Sequence, residues 1–487
     1  MRKSIVLAAL VASAAVVSAQ PPAWPQFRGP GGAGVADDQK PPVRFGPNKN
    51  VKWKVKVPPG FSSPVVVADK LILTAFENGK LYTIAYTRAD GSEAWRAEAP
   101  PGGWSQIVRQ KAPAAKIEPY HKTEGSPAAS TPVTDGTRVI SYFGSCGLFC
   151  YDLAGREQWR YEMPAAATVA DFGTGTSPVL ADGLVVLVRD ERTAPKIVAL
   201  DAATGSVKWE KKRESTSSFC TPVVCDAPGG KQVVAAGYKK MIGYDLRTGD
   251  EKWHVNGMPA AACTTPVVAN GKLYFAGWSP GEDMKMPPFE KLLKDAGEEG
   301  KGYITREGSE KTFIKGFFDN QDSDHDGKLT KAEWDEAAKF MAAAKNSAFA
   351  LRLGGTGDVT ATHVEWKQTK GLPYVPSALL YRGQLLMVKD GGMVTAYDAA
   401  TGRELYVQER AAVAGSYYAS PVAANGHIYL FALGDGACTV LEAGAAEPTE
   451  VVRNPRLGER VAATPAIADD TLYVRTAGHL YAFSEQR

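Results

Sequence analysis

The sequence predicts an all-β architecture: an eight-bladed β-propeller interrupted by one small helical insertion. Three observations predict it. A hydroxyl residue, usually followed by proline and an apolar stretch, recurs eight times. Most units so marked close on an aromatic. The last unit stops one strand short, and a spare strand precedes the first.

The recurring stretches are SSPVVV, STPVTD, TSPVLA, CTPVVC, TTPVVA, PSALLY, ASPVAA and ATPAIA, with hydroxyls at Ser63, Thr131, Ser177, Thr221, Thr265, Ser377, Ser420 and Thr464. Their spacings of 68, 46, 44, 44, 112, 43 and 44 define a unit of about 44 residues, with extra chain in the first and fifth copies. Within the third unit, SPVLADG, LVVLVRD, KIVALDA and GSVKWEK read as four short strands separated by turn residues. Helical period is absent from these segments.

Closing aromatics stand at Trp95, Trp159, Trp209, Trp253 and Trp366, with Tyr406 in the sixth unit and no clear equivalent in the seventh. The eighth unit ends at HLYAFSEQR, after its third strand, and NVKWKVKVP with Trp53 supplies the missing one. A ring whose two chain ends share one blade has no long open edge.

The fifth unit is interrupted between Trp278 and Phe349. There Phe313 and Phe317, and Ile314 and Phe318, form i, i+4 pairs, and Trp334, Ala337, Ala338 and Met341 form an apolar stripe. Between them stands DSDHDGKLTKAE, which matches an EF-hand loop. Asp322, Asp324 and Asp326 occupy positions 1, 3 and 5, and Gly327 permits the turn. Lys328 offers its carbonyl at position 7, Thr330 acts through water, and Glu333 closes the set as a bidentate ligand. Hard oxygen ligands in this number suit Ca²⁺ better than zinc or copper. Leu329 anchors the loop, and His325 is not a ligand. Upstream, GKGYITREG aligns Ile304 with Leu329 and Gly302 with Gly327, but Gly297, Glu299, Lys301 and Gly308 stand at its ligand positions. That loop is expected to pair with the first and to hold no calcium.

The chain order of a four-strand meander sends the first insertion, roughly 97–128, and the helical insertion to the same face of the ring. The hydroxyls open the innermost strands on that face, and two positions before them stand Phe61, Phe219 and Tyr418. Such a rim can hold a sugar-like or aromatic ligand, although Ser/Thr-Pro also simply starts a strand. The first insertion carries His121 and Glu124, with Trp104 and Arg109 nearby; this is an acid/base pair or a solvated loop. Arg189, Asp190, Glu191 and Arg192 read as a salt-linked turn.

At the start, Arg2 and Lys3 precede the short apolar run Ile5 to Val17 and the small-residue stretch Val17-Ser18-Ala19. This is a secretory leader, with Gln20 the expected mature start. No Cys follows for lipid attachment, and no later stretch approaches about 18 uninterrupted apolar residues. The expectation is an exported, soluble protein in the periplasm or outside the cell. Loss of Arg2 and Lys3 lowers the formal charge from +3 to +1, which argues against nucleic acid or an anionic membrane as partner. Of the cysteines at 146, 150, 220, 225, 263 and 438, Cys146 and Cys150 in GSCGLFC are the most plausible disulfide. The domain plan is 1–19 leader, 20–50 N-terminal extension, 51–282 and 346–487 propeller, and 283–345 EF-hand insertion.

ALDAATGSVKW, GYDLRTGDEKW and AYDAATGRELY resemble the pyrroloquinoline-quinone-type (PQQ-like) propeller repeat of quinoprotein dehydrogenases and of the propeller lipoprotein of the outer-membrane β-barrel assembly machine. WPQFRGP resembles a segment found ahead of such repeats in exported bacterial proteins of unassigned function. The resemblance covers roughly 24–282 and 346–487 and fixes architecture rather than activity. Its enzyme members hold the quinone with calcium in the central channel, stacked on aromatics, with an Asp base. This sequence lacks the adjacent Cys-Cys pair many of them carry, and no quinone ligand can be matched residue by residue. G-x-S-x-G and H-E-x-x-H are absent, and Pro30 spoils Gly29, Gly31 and Gly34 as a phosphate loop. The favoured expectation is a non-catalytic, calcium-binding propeller that engages a cell-envelope protein or glycan on the insertion face. The alternative is a PQQ-dependent dehydrogenase acting on alcohols or sugars.

Overall fold

A computed structural model describes residues 23–99, 117–280 and 285–485, save 316–317, 323, 325 and 343. The leader, Trp104, Arg109, Phe317 and His325 lie outside the described residues.

Eight sheets succeed one another around the ring, antiparallel but for a short fifth strand, Gly357–Asp358, that pairs in parallel with the outer strand of blade 4. Blade 1 runs Val65–Val67, Lys70–Glu77, Lys80–Thr87, Glu93–Ala99 from the axis outward. Blade 8 comprises Ala466–Ala468, Thr471–Arg475 and His479–Phe483, and its outer strand is Val51–Lys56 from the other end of the chain. Innermost strands are short and almost wholly buried, because they lie between neighbours around the axis. Outer strands such as Glu157–Glu162 bury one residue and leave the rest exposed or half-buried. Each pair of neighbouring blades shares an apolar layer, for example Ile140, Cys150 and Trp159 against Val185, Val198 and Leu200. Each fully buried side chain of this size contributes about 1.5–3 kcal/mol.

The repeat signature has a mechanical meaning. In the turns before the outer strands, Gly91, Gly155, Gly205, Gly249 and Gly402 take positive φ and lie flat under Trp53, Trp95, Trp159, Trp209 and Trp366 of the preceding blade. A Cβ on any of these glycines would sit within 2.7 Å of an indole atom. Each of those indoles also donates Nε1–H to a carbonyl of the next blade, at Arg88, Leu153, Ala202, Leu246 and Ala399. Trp253 is the exception. The corresponding turn of blade 5 is replaced by 353–363, and Trp253 turns to Gln232 Oε1 instead.

The hydroxyls that mark the repeat form a belt. The backbone N–H of Ser63 donates to Thr131 Oγ1, Thr131 to Ser177, and Ser177 to Thr221, at 3.0–3.1 Å. Thr265 donates to Ser377, Ser377 to Ser420, Ser420 to Thr464, and Thr464 back to Ser63, at 2.9–3.0 Å. A hydroxyl recurs because seven of the eight joints between neighbouring innermost strands are fastened through one.

The N-terminal segment corks the axis. Trp24 exchanges backbone hydrogen bonds with Val66 of blade 1, Pro25 O accepts from Thr134 of blade 2, and Gly34 and Ala36 pair with Ala423 of blade 7. Arg28, fully buried, donates Nη2–H to the carbonyls of Ala33 and of Ala378 in blade 6. The segment leaves past the Asp470 turn of blade 8 and reaches the periphery at Phe45, which packs on Phe483.

The cysteines are free thiols, so the expected Cys146–Cys150 disulfide does not form. The turn separates them: Cys146 lies in the tight turn before the strand Gly147–Asp152 and packs with Phe143 and Phe149 toward blade 1, whereas Cys150, within the strand, packs with Ile140 and Trp159 toward blade 3.

The helical insertion leaves blade 5 between Lys272–Gly277 and Ser347–Arg352, strands that pair directly. It contains α1 (Phe289–Ala296), α2 (Arg306–Ser309), α3 (Phe318–Gln321) and α4 (Lys331–Ala342). Strands Tyr303–Thr305 and Lys328–Thr330 pair between the two loops, with Ile304 opposite Leu329. Phe289, Leu292, Ile304, Ile314, Phe318, Leu329 and Trp334 make its core. The helix entering the second loop is shorter than the spacing predicts. A turn spans 311–315, α3 begins at Phe318, and Phe313 is 56% exposed, edge-on to Trp334.

Candidate functional site

The axis opens into a cup on the face that carries the insertions. Its walls are the positions two residues before each belt hydroxyl, in all eight blades: Phe61, Ala129, Gly175, Phe219, Cys263, Val375, Tyr418 and Ala462. Below them come the hydroxyls of Ser63, Thr131, Ser177, Thr221, Thr265 and Thr464. Phe27 of the cork is its floor, so the channel is blind on that side. The cavity measures about 180 Å³, below the roughly 300–1,000 Å³ of pockets that take drug-sized ligands. The rim residues Phe61, Phe219 and Tyr418 all reach it. Phe172, Tyr374 and Glu124 complete its mouth. Phe172 meets Phe219 edge-on at 6.0 Å.

The chemistry of the lining is quiet. Of the hydroxyls that line the cup, those of Ser63, Thr131, Ser177, Thr221 and Thr464 already accept backbone N–H groups. Burial pushes the Cys263 thiol up to about 12, with Glu124 adding to it, so the sulfur stays protonated and is a poor nucleophile. Burial likewise pushes the Tyr418 phenol up to about 12. His121 and Glu124 do not act as a pair. His121 is exposed, bonded to Thr123 Oγ1 at 3.1 Å and packed on Phe172, while the Glu124 carboxylate goes to the cup. Behind the mouth, Glu118 is buried with its carboxylate on Thr174 N and Oγ1, and burial lifts its pKa to about 8. Arg189 pairs with Glu191 at 3.0 Å, and Arg213 grips Asp190 at 2.7 and 3.1 Å. These pairs knit the turn, as the sequence implies, and stand outside the cup.

The second candidate site lies in the insertion. Carboxylate oxygens of Asp322, Asp324 and Glu333 lie within 4.8 Å of one another. Asp322 is 2% exposed; its Oδ2 accepts the Gly327 N–H at 2.9 Å, and its Oδ1 is buried with no partner. Glu333 also caps α4, accepting from Thr330 N and Oγ1 at 2.8 Å. Asp326 faces the Lys328 N–H at 2.8 Å, and the Lys328 ammonium lies over Tyr303, so these two side chains stand apart from the cluster. The partner loop contrasts with it. Glu298, 7% exposed, is met by the Lys301 ammonium at 2.8 Å and by Thr305 N and Oγ1 at 2.6 Å. That loop carries its own cation; the cluster around Asp322 instead leaves a buried carboxylate oxygen, Asp322 Oδ1, unmet and can take a hard divalent ion.

The two sites touch. Helix α3, which ends one residue before Asp322, packs against the single 3₁₀ turn Val169–Asp171, and the next residues, Phe172–Gly175, line the cup.

Residues 83–280 and 354–486 match the sequence profile of a family described as outer membrane protein assembly factor BamB, and the match breaks at the helical insertion. No curated protein matches the chain. Among solved structures, BamB from Moraxella catarrhalis is 13% identical with a TM-score of 0.53, covering 89% of this chain and 98% of that one. A computationally designed protein, Ika8, is 10% identical with a TM-score of 0.53, covering 89% and 99%. A europium-containing methanol dehydrogenase is 9% identical with a TM-score of 0.43, covering 96% and 98%. At these identities the likeness is one of fold.

Proposed function

The chain belongs to the family of the outer membrane protein assembly factor BamB, and from that premise we propose that it is an exported, calcium-binding β-propeller that binds rather than transforms its ligand. The observation that carries this reading is the corked axis, a blind cup open only on the insertion face and lined by side chains with no catalytic pairing. The relative named for assembly supports a partner in the cell envelope, and no helix among the described residues is long and apolar enough to cross a membrane.

The dehydrogenase alternative meets a poor donor set. Among the described residues, Glu124 is the single carboxylate in the lining, it lies at the mouth, and no Asp faces the cup. These residues do not fit a metal-bound quinone and its Asp base. Dye-linked oxidation assays with PQQ, calcium and a panel of alcohols and sugars test this directly. The expected result is no turnover; quinone-dependent turnover would replace the binding role with the enzymatic one.

Calcium fits the insertion. The unpartnered Asp322 Oδ1, the Asp324 and Glu333 carboxylates and the Lys328 carbonyl are the hard oxygens such an ion takes. At the roughly millimolar calcium typical of extracellular modules, a loop of this kind stays filled and is structural. Through α3 and the 169–171 turn, the filled loop braces the rim at Phe172.

A further inference from the structure

We propose that the cup takes a small zwitterion with an apolar or aromatic body, its carboxylate held by Arg460 and its ammonium by Glu124. This deepens, and rests on, the reading of the insertion face as the binding face.

The argument starts at Arg460, in the connection leading to the innermost strand of blade 8. Its guanidinium lies over two rings that line the cup, 5.1 Å from the centre of Phe61 and 5.5 Å from that of Tyr418. Stacking occupies the faces of a guanidinium and leaves its in-plane N–H groups for an acceptor. Its Nε is buried without a partner. The adjacent carboxylate, Glu459, is committed to Thr476, the Gly478 N–H and His479, and Arg460 has no ion pair among the described residues. Arg460 is therefore a pinned cation with its donors unspent.

Glu124 is its counterpart. It lines the same cup and has no ion-pair partner among the described residues. Both charges act on Tyr418: Glu124 raises its pKa and Arg460 lowers it, which places them within electrostatic reach of one ring. Asp390, the other acid that Tyr418 senses, is occupied by Ser416 and the Tyr417 N–H. Two opposite charges without ion-pair partners among the described residues, Glu124 in the lining and Arg460 against the Phe61 and Tyr418 rings, are completed best by one molecule that brings both partners. A simple anion would satisfy Arg460 and be repelled by Glu124; a simple cation would meet the reverse. The aromatic wall adds cation–π attraction for the ammonium, and the cavity of about 180 Å³ limits the body to a small one. Free amino acids and betaines have this chemistry.

Calorimetry on the calcium-loaded, full-length mature protein tests the assignment with L-phenylalanine, L-leucine and glycine betaine as zwitterions. The controls are 3-phenylpropionate, phenethylamine and 2-phenylethanol. At least one zwitterion is expected to bind roughly 10-fold or more tighter than every control. Arg460→Gln and Glu124→Gln are each expected to weaken it by roughly 10- to 100-fold. Binding of 3-phenylpropionate or 2-phenylethanol as tight as any zwitterion, insensitive to Glu124→Gln but lost in Phe219→Ala, overturns the zwitterion and keeps the cup as a binding site. No binding by any probe, accompanied by quinone-dependent turnover, overturns both.

Discussion

The ring of blades and the helical insertion use the same polar side chains to opposite ends. In the ring, Ser63, Thr131 and five more of the belt hydroxyls each accept a backbone N–H from a neighbouring blade. The turn acids behave likewise: Asp152, Asp201, Asp245 and Asp398 accept from the amides of their own turns. In the insertion, Asp322 keeps a buried oxygen with no partner. The difference recurs inside the insertion, where Glu298 is satisfied by Lys301 and the loop paired with it is not. A polar residue repeated at fixed period is there for architecture, whereas a buried acid left unsatisfied beside two further carboxylates is a place for a cation.

The ring half of the comparison breaks most severely at the cork. Trp24→Ala removes a fully buried indole from the apolar layer that closes blades 7, 8 and 1. Denaturant unfolding is expected to show a loss of about 3–5 kcal/mol. A loss below about 1 kcal/mol would mean that the ring closes without its cork.

Asp322→Ala tests the other half. Calcium binding is expected to disappear, and hydrogen exchange to accelerate in 318–333 and in the 169–175 rim while the blades stay protected. Blades that loosen together with the loop would show that the insertion is part of the ring's stability after all.

A smaller effect is expected from the buried acid behind the rim. Burial raises the folded-state pKa of Glu118 from 4.5 to about 8. Its protonated form is therefore the favoured one in the fold. The stability it contributes is complete below about pH 4.5 and is lost as the pH rises through about 8. Thermal melts across this window should fall for the native protein and stay flatter for Glu118→Gln, with a difference on the order of 2 kcal/mol at the alkaline end. Parallel profiles would remove Glu118 from the account.

The mildest change is Ser63→Ala, which deletes one hydroxyl from the belt. An unfolding cost of about 1 kcal/mol is expected, with calcium binding unaltered. A change in calcium affinity would contradict the separation of belt from loop.

The blade count, the shared closing blade and the Ile304–Leu329 register were all legible, because a period of about 44 residues and a 25-residue offset are visible without knowing what touches what. The cup was legible in part. The offset of two before each hydroxyl picks out its wall in every blade, although only the three aromatic members drew notice. Phe172, Tyr374 and Arg460 stand five, three and four residues ahead of their hydroxyls. They come from connections of varying length, where period says nothing. The cork was opaque for another reason. What WPQFRGP does depends on partners far along the chain, such as the Ala378 carbonyl that receives Arg28. The Cys146–Cys150 pairing failed because closeness in sequence ignores the turn that sends Cys146 into a different layer from Cys150.

Calorimetric titration of the purified mature protein, first with calcium and then with pyrroloquinoline quinone, tests the central claim most directly. The account predicts one calcium site, abolished by Asp322→Ala, and no heat from the quinone. Stoichiometric quinone binding would contradict it and make the cup a cofactor site.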